Sequence, residues 1–207
     1  TLVSSGPDNA KAMALQGDGK IVLAGETASG GAGNSIVVRY IGGTNLVITP
    51  TPTPTATAPS TPTPTTIPTS TPTPLPTSTP VPTPTPGPGD LDATFGIGGV
   101  STVNLGSSPD EATALALQPD GKLLAAGYAY NGNNDDFLLL RYNSDGSLDT
   151  SFGSNGRVLT AVGSSVDRAT SVALQPDGKI LAAGYSGNVF ALVRYNADGT
   201  LDASFGL

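Results

Sequence analysis

The chain has 207 residues, a net charge of −7, and neither cysteine nor histidine. That length suits one or two small domains, and the acidic balance points away from nucleic acid and anionic membrane surfaces, so we expect neither as a partner. Without Cys or His there is no disulfide framework, no Ser-His-Asp or Cys-His triad and no structural zinc site, and we expect no enzymatic activity.

The first patterned stretch is "ALQGDGKIVLAGE" from Ala14, followed by "SIVVRY", which ends at Arg39-Tyr40. Asp-Gly-Lys is hairpin chemistry: Gly accepts a positive φ and Asp caps the turn. The run before the turn alternates, and the run after it is apolar on both faces, which predicts a strand covered on both sides. "NLVIT" follows at Asn45, and we read Leu46, Val47 and Ile48 as a strand in need of a sheet, with another copy of the chain as the expected donor.

From Thr49 to Gly89 the chain is a Thr/Pro tract without a charged residue. Each proline removes a sheet donor and disfavours helix at the residue before it. Extended polyproline II is the expected conformation, at about 3.1 Å per residue, so the tract could span on the order of 100 Å as a spacer. Hydroxyls alternating with prolines also mark O-glycosylated stalks. The candidate acceptors are Thr51, Thr53, Thr55, Thr57, Ser60, Thr61, Thr63, Thr65, Thr66, Thr69, Ser70, Thr71, Thr73, Thr77, Ser78, Thr79, Thr83 and Thr85. Covalent glycans on this linker are therefore expected partners.

Beyond the tract, "GDLDATFG" at Gly89 leads to "GGVSTVNL", the expected outer strand of a repeat. "ALQPDGKLLAAGY" from Ala116 and "ALQPDGKILAAGY" from Ala173 then repeat the first pattern, with "FLLLRY" and "FALVRY" behind them. Gln118 and Gln175 stand 57 positions apart, whereas Gln16 and Gln118 stand 102 apart; the tract accounts for the excess. Four short antiparallel strands in about 55 residues match a propeller blade. The expected fold is all-β, with four-stranded blade-like modules split by the extended linker. The expected divisions are 1–48, a single incomplete repeat, 49–89, the linker, and 90–207, two tandem repeats.

These motifs carry a resemblance. Ala-Leu-Gln-Pro-Asp-Gly-Lys, Ala-Ala-Gly-Tyr, Arg-Tyr-Asn-x-Asp-Gly and Leu-Asp-x-Ser-Phe-Gly make the chain similar to the delta-60 repeat, a bacterial tandem repeat of about this length. The resemblance implies a surface or secreted protein with β-propeller-like packing and no catalytic residues. It covers Leu91 to Phe205 and Ala10 to Tyr40; the tract has no counterpart. Such families string many repeats together, and a closed propeller needs at least about four blades, but this chain holds three.

The stretch "TLVSSGPDNA" at the start resembles the interior "TAVGSSVDRA" from Thr160, and the last residues are "LDASFGL". Head to tail, the two ends approximate one repeat junction, which fits either assembly between copies or a piece of a longer array. The expectation is an extracellular or cell-surface filament subunit whose partner is other copies of itself. The alternative is a surface adhesin or glycan-binding propeller fragment.

Other residues weigh less. "NSDGSLD" (143–149) and "NADGTLD" (196–202) place oxygens at spacings that suit calcium, or else cap their own turns. No cofactor is expected, with calcium the minor alternative. Asp135 and Asp136 form a carboxylate pair that reads as a solvated loop tip rather than glycosidase chemistry. Arg39, Arg141 and Arg194 are expected to bond turn carboxylates such as the Asp of Asp-Gly, and Phe95, Phe152 and Phe205 to plug the core between blades.

Overall fold

A computed structural model describes residues 8–27, 33–42, 85–106 and 109–206. These form eleven strands: β1 (Asp8–Leu15), β2 (Ile21–Thr27), β3 (Asn34–Tyr40), β4 (Val100–Val103), β5 (Glu111–Leu117), β6 (Leu123–Tyr130), β7 (Asp135–Tyr142), β8 (Arg157–Thr160), β9 (Asp167–Leu174), β10 (Ile180–Ser186) and β11 (Val189–Tyr195). Among the described residues there is no helix, and none therefore long and apolar enough to cross a membrane.

The strands make three antiparallel sheets, β1-β2-β3-β4, β5-β6-β7-β8 and β9-β10-β11. Each Asp-Gly-Lys turn joins a lead strand to the second strand, as its chemistry predicts. Each lead strand carries a bulge: the register slips between Ala10 and Ala12, between Ala112 and Ala114, and between Ala183 and Gly184 on the partner strand of β9. The bulge drives the lead-strand backbone onto the sheet. A Cβ on Gly127 would lie 1.8 Å from the Glu111 carbonyl oxygen, which explains the Gly of the repeating Ala-Gly pair.

The blades stack face to face, with β5 against β1 and β2, and β9 against β5, β6 and β7. Two cores result. Val22, Ala24, Val37 and Phe95 meet Leu123, Ala125, Leu138 and Tyr142 between blades one and two. Leu124, Ala126, Leu139 and Phe152 meet Ile180, Ala182 and Tyr195 between blades two and three. Strands β6 and β7 feed one side chain to each core in turn, so both are buried almost throughout, as their unbroken apolar runs predict.

The first sheet departs from the expected division. Its outer strand is β4, which lies beyond the tract, and Val38 pairs with Val100 and Ser35 with Val103. Residues 90–103, grouped by sequence with the later repeats, finish the first blade. The chain itself fills the outer edge of β3, and Leu46, Val47 and Ile48 lie outside the described residues. So do the glycosylation candidates up to Thr83; Thr85 is exposed.

The tract also differs from a spacer between blades. Ile41 N–H donates to the Asp90 carbonyl at 2.8 Å, and Gly89 N–H donates to the Ile41 carbonyl at 2.9 Å. In blade two the same bonds run from Asn143 to Ser147 at 2.8 Å and from Gly146 to Asn143 at 2.9 Å. Gly87-Pro88-Gly89 thus stands where Ser144-Asp145-Gly146 stands one blade later. The tract is inserted in sequence within a single turn. Two main-chain bonds close that turn, so the chain on either side is adjacent rather than separated.

Candidate functional site

Each blade ends in the same constellation, built at the base of its third strand. In blade two, Arg141 Nε donates to Asp149 Oδ2 at 2.7 Å and the guanidinium lies 4.5 Å from the centre of the Phe152 ring. Lys122, from the Asp-Gly-Lys turn, meets the same carboxylate oxygen at 2.7 Å. Ser151 caps the other oxygen through its hydroxyl at 2.6 Å and its amide at 3.1 Å. Blade one repeats this with Arg39, Asp92, Lys20, Thr94 and Phe95. Blade three repeats it with Arg194, Asp202, Lys179, Ser204 and Phe205.

The electrostatics follow from these contacts. Lys122 and Ser151 hold the Asp149 carboxyl far below the usual carboxylate range. Burial pushes Asp92 up, but Thr94, Lys20 and Arg39 together outweigh it and its carboxyl is also held low. Lys179 and Ser204 do the same for Asp202. The Arg partner is therefore the Leu-Asp carboxylate, not the Asp-Gly one expected from sequence. Asp145 and Asp198, the Asp-Gly residues, are occupied locally: each accepts from the amide and hydroxyl two residues on, Ser147 and Thr200. That is the self-capped turn weighed against calcium.

The constellation acts across blades. Arg39 Nη1 donates to the Ser144 carbonyl of blade two at 2.5 Å, and Gly96 N–H donates to the Asp145 carbonyl at 2.7 Å. Arg141 Nη1 donates to the Ala197 carbonyl of blade three at 2.6 Å, and Gly153 N–H to the Asp198 carbonyl at 2.8 Å. Each Arg-Phe-Gly socket thus grips the main chain of the next blade's Asn-x-Asp-Gly turn. The turn's glycine makes the fit. A Cβ on Gly146 would come within 3.0 Å of the Phe95 ring, and one on Gly199 within 2.9 Å of Phe152. Sequence reasoning found the Arg and the Phe but missed these carbonyls, which leave no side-chain signature; the recurring Gly was the available signal.

No turn among the described residues enters the third socket. Among the described residues no carbonyl meets the Arg194 guanidinium, whose side chain is 21% exposed against 5% for Arg39 and 9% for Arg141. The sheet above it is open as well. Phe190 and Leu192 are 102% and 54% exposed, while their blade-two counterparts Phe137 and Leu139 are fully buried. No described strand pairs the outer edge of β11, where β4 and β8 lie in the other sheets. At the other end of the stack Met13 and Leu15 are 70% and 68% exposed, whereas their counterparts Leu115 and Leu117 pack into the first core. Ile36 and Val38, also on that outer side, are buried.

Asp135 and Asp136 are not a solvated tip. They open β7, where Asp135 accepts from Arg168 Nε at 2.8 Å and ties blade two to blade three. Asp136 is buried and accepts from Asn131 Nδ2 at 2.8 Å. Strand pairing carries the chain inward sooner than the Asn/Gly composition predicts.

A family model described as "Domain of unknown function (DUF5122) beta-propeller" matches residues 16–40, 118–152 and 175–205. Each matched stretch runs from a Gln before the hairpin turn through the Arg-Tyr pair, so all three socket arginines fall inside. The chain is similar to a β-propeller-like repeat family over these segments. No curated protein and no solved structure matches it.

Proposed function

We propose that this chain is a non-enzymatic structural subunit of delta-60 type that assembles head to tail into an extracellular or cell-surface filament. The observation that carries this reading is the open face of blade three. Phe190 and Leu192 lie bare where the equivalent residues of blade two are covered. Burying two such side chains is worth about 1.5–3 kcal/mol each, and Met13 and Leu15 at the opposite end supply a second apolar margin. Two different complementary ends give a heterologous contact, which makes a filament unless its rotation closes a ring. The Thr/Pro tract decorates the polymer and carries O-linked sugars on its hydroxyls.

Light scattering and electron microscopy of the purified chain test the assembly. The expected result is large species and fibres with a regular repeat. The double variant Phe190→Asp, Leu192→Asp is expected to remain a 20.5 kDa particle with unchanged circular dichroism. A wild-type chain that stays at 20.5 kDa at every concentration would overturn the reading. Intact mass of native material tests the sugars separately, a bare-chain mass removing them. The binding-module alternative draws on an open groove of about 650 Å³ between the first two blades, of mixed polar and apolar lining, with Gln16, Lys20, Leu117, Gln118 and Ser144 among its walls. Specific retention of the assembly-deficient variant on a glycan array would favour it.

A further inference from the structure

We infer that the turn Gly87-Pro88-Gly89, at the root of the Thr/Pro tract, is the plug that enters the Arg194–Phe205 socket of another copy. The inference rests on the head-to-tail reading and names the groups that make the joint. Two internal joints define what a plug needs: two successive carbonyls, and a glycine with positive φ against the Phe ring. Blade one supplies the same parts. Its turn is closed by the same two main-chain bonds as that of blade two and by one more, Asp90 N–H to the Gly87 carbonyl at 3.1 Å, which leaves that carbonyl its second lone pair for a socket. Gly89 has φ +86°, against +84° for Gly146 and +89° for Gly199. Pro88 has no N–H, but the joint uses the carbonyl at that position, which proline keeps.

What differs is occupancy. Gly146 and Gly199 are buried, and a Cβ on either would strike a Phe ring, whereas Gly89 is exposed and a Cβ there would meet nothing within 4 Å. Among the described residues, the turn at Gly89 meets no socket and the socket at Arg194 meets no turn. Direction agrees as well: each internal plug enters the socket of the blade before it, so blade one of one copy follows blade three of the next.

The test uses full-length chains. Gly89→Asn keeps a residue that tolerates left-handed φ but places a side chain where the Phe205 ring would lie. Overpacking of this kind raises the half-assembly concentration by about 10- to 100-fold, read by sedimentation. The chain bearing Phe190→Asp and Leu192→Asp has a blocked face and a free plug. Mixed with Gly89→Asn, whose socket end is intact, it is expected to form a heterodimer that grows no further. Arg194→Met gives a second socket block that leaves the exposed face apolar, and it is expected to pair with Gly89→Asn in the same way. If Gly89→Asn assembles like wild type while the face-blocked chain does not, assembly stands and the plug assignment falls. If wild type itself does not assemble, both fall.

Discussion

Blades two and three differ little in sequence but greatly in surroundings. Arg141 is sealed between Asp149, the Phe152 ring and the Ala197 carbonyl. Arg194 has the same carboxylate and ring, but among the described residues no carbonyl beyond them. The repeat thus encodes both halves of a contact that one blade cannot complete alone. Stability inside the stack and the proposed contact between copies would draw on the same kinds of residue, with position in the stack deciding which joint each one serves.

The comparison can be broken most directly at Arg141. Arg141→Ala leaves the buried Asp149 with Lys122 as its one cation and removes a bond across the joint, so a loss of about 2–4 kcal/mol is expected in urea unfolding. Arg194→Ala is expected to cost clearly less in a chain held unassembled by the Phe190→Asp, Leu192→Asp background. Equal losses would mean that the arginine matters only within its own blade.

The plug glycines sharpen the contrast. Gly199→Ala combines an unfavourable φ with a Cβ pressed into Phe152, and about 2–5 kcal/mol is expected. Gly89→Ala has the φ penalty alone, about 1–2 kcal/mol in the same unassembled background.

Acid separates the joints by titration. Asp149 is held below its unfolded value of about 3.9, so its contribution is complete above that pH and disappears as pH falls through the lower folded value. The denaturation midpoint should hold near neutrality and drop below about pH 4. In Asp149→Asn that acid limb should flatten, with stability already reduced at pH 7.

The smallest expected effect is a gain. Tyr195 donates to the Thr160 hydroxyl at 3.0 Å, but Tyr142 in the preceding blade is buried with its hydroxyl unpartnered. Val103 stands in the place of Thr160, opposite Ser35 as Thr160 is opposite Phe137. Val103→Thr should stabilise the fold by about 0.5–1.5 kcal/mol in thermal or urea unfolding.

Much of the fold was legible. Hairpin turns, two-faced apolar strands and the repeat spacing announced blades, because backbone chemistry and burial leave their mark residue by residue. The outer strand after each Phe-Gly turn was legible too, and β4 and β8 lie there. Less was legible at the joint. Arg39, Arg141 and Arg194 stood out, but their carboxylate partner was misassigned because two aspartates lie within reach of each turn in sequence and only packing chooses between them. The carbonyls of Ser144 and Ala197 were invisible, since any residue supplies a carbonyl. The tract was read as a spacer, because composition says nothing about where its two ends sit, and Ile41 and the Gly89–Asp90 segment prove to be paired.

The bond pair between Ile41 and the Gly89–Asp90 segment has one more consequence. Blade one is already a two-piece object, with β1 to β3 on one side of the tract and β4 on the other, held by pairing and by packing on β5. A protease that nicks the tract would leave the pieces in place. Lengthening is equally tolerable, since doubling a closed loop costs only about 0.6 kcal/mol. The tract is therefore a segment whose length can drift over evolutionary time while the blade beneath it is left undisturbed.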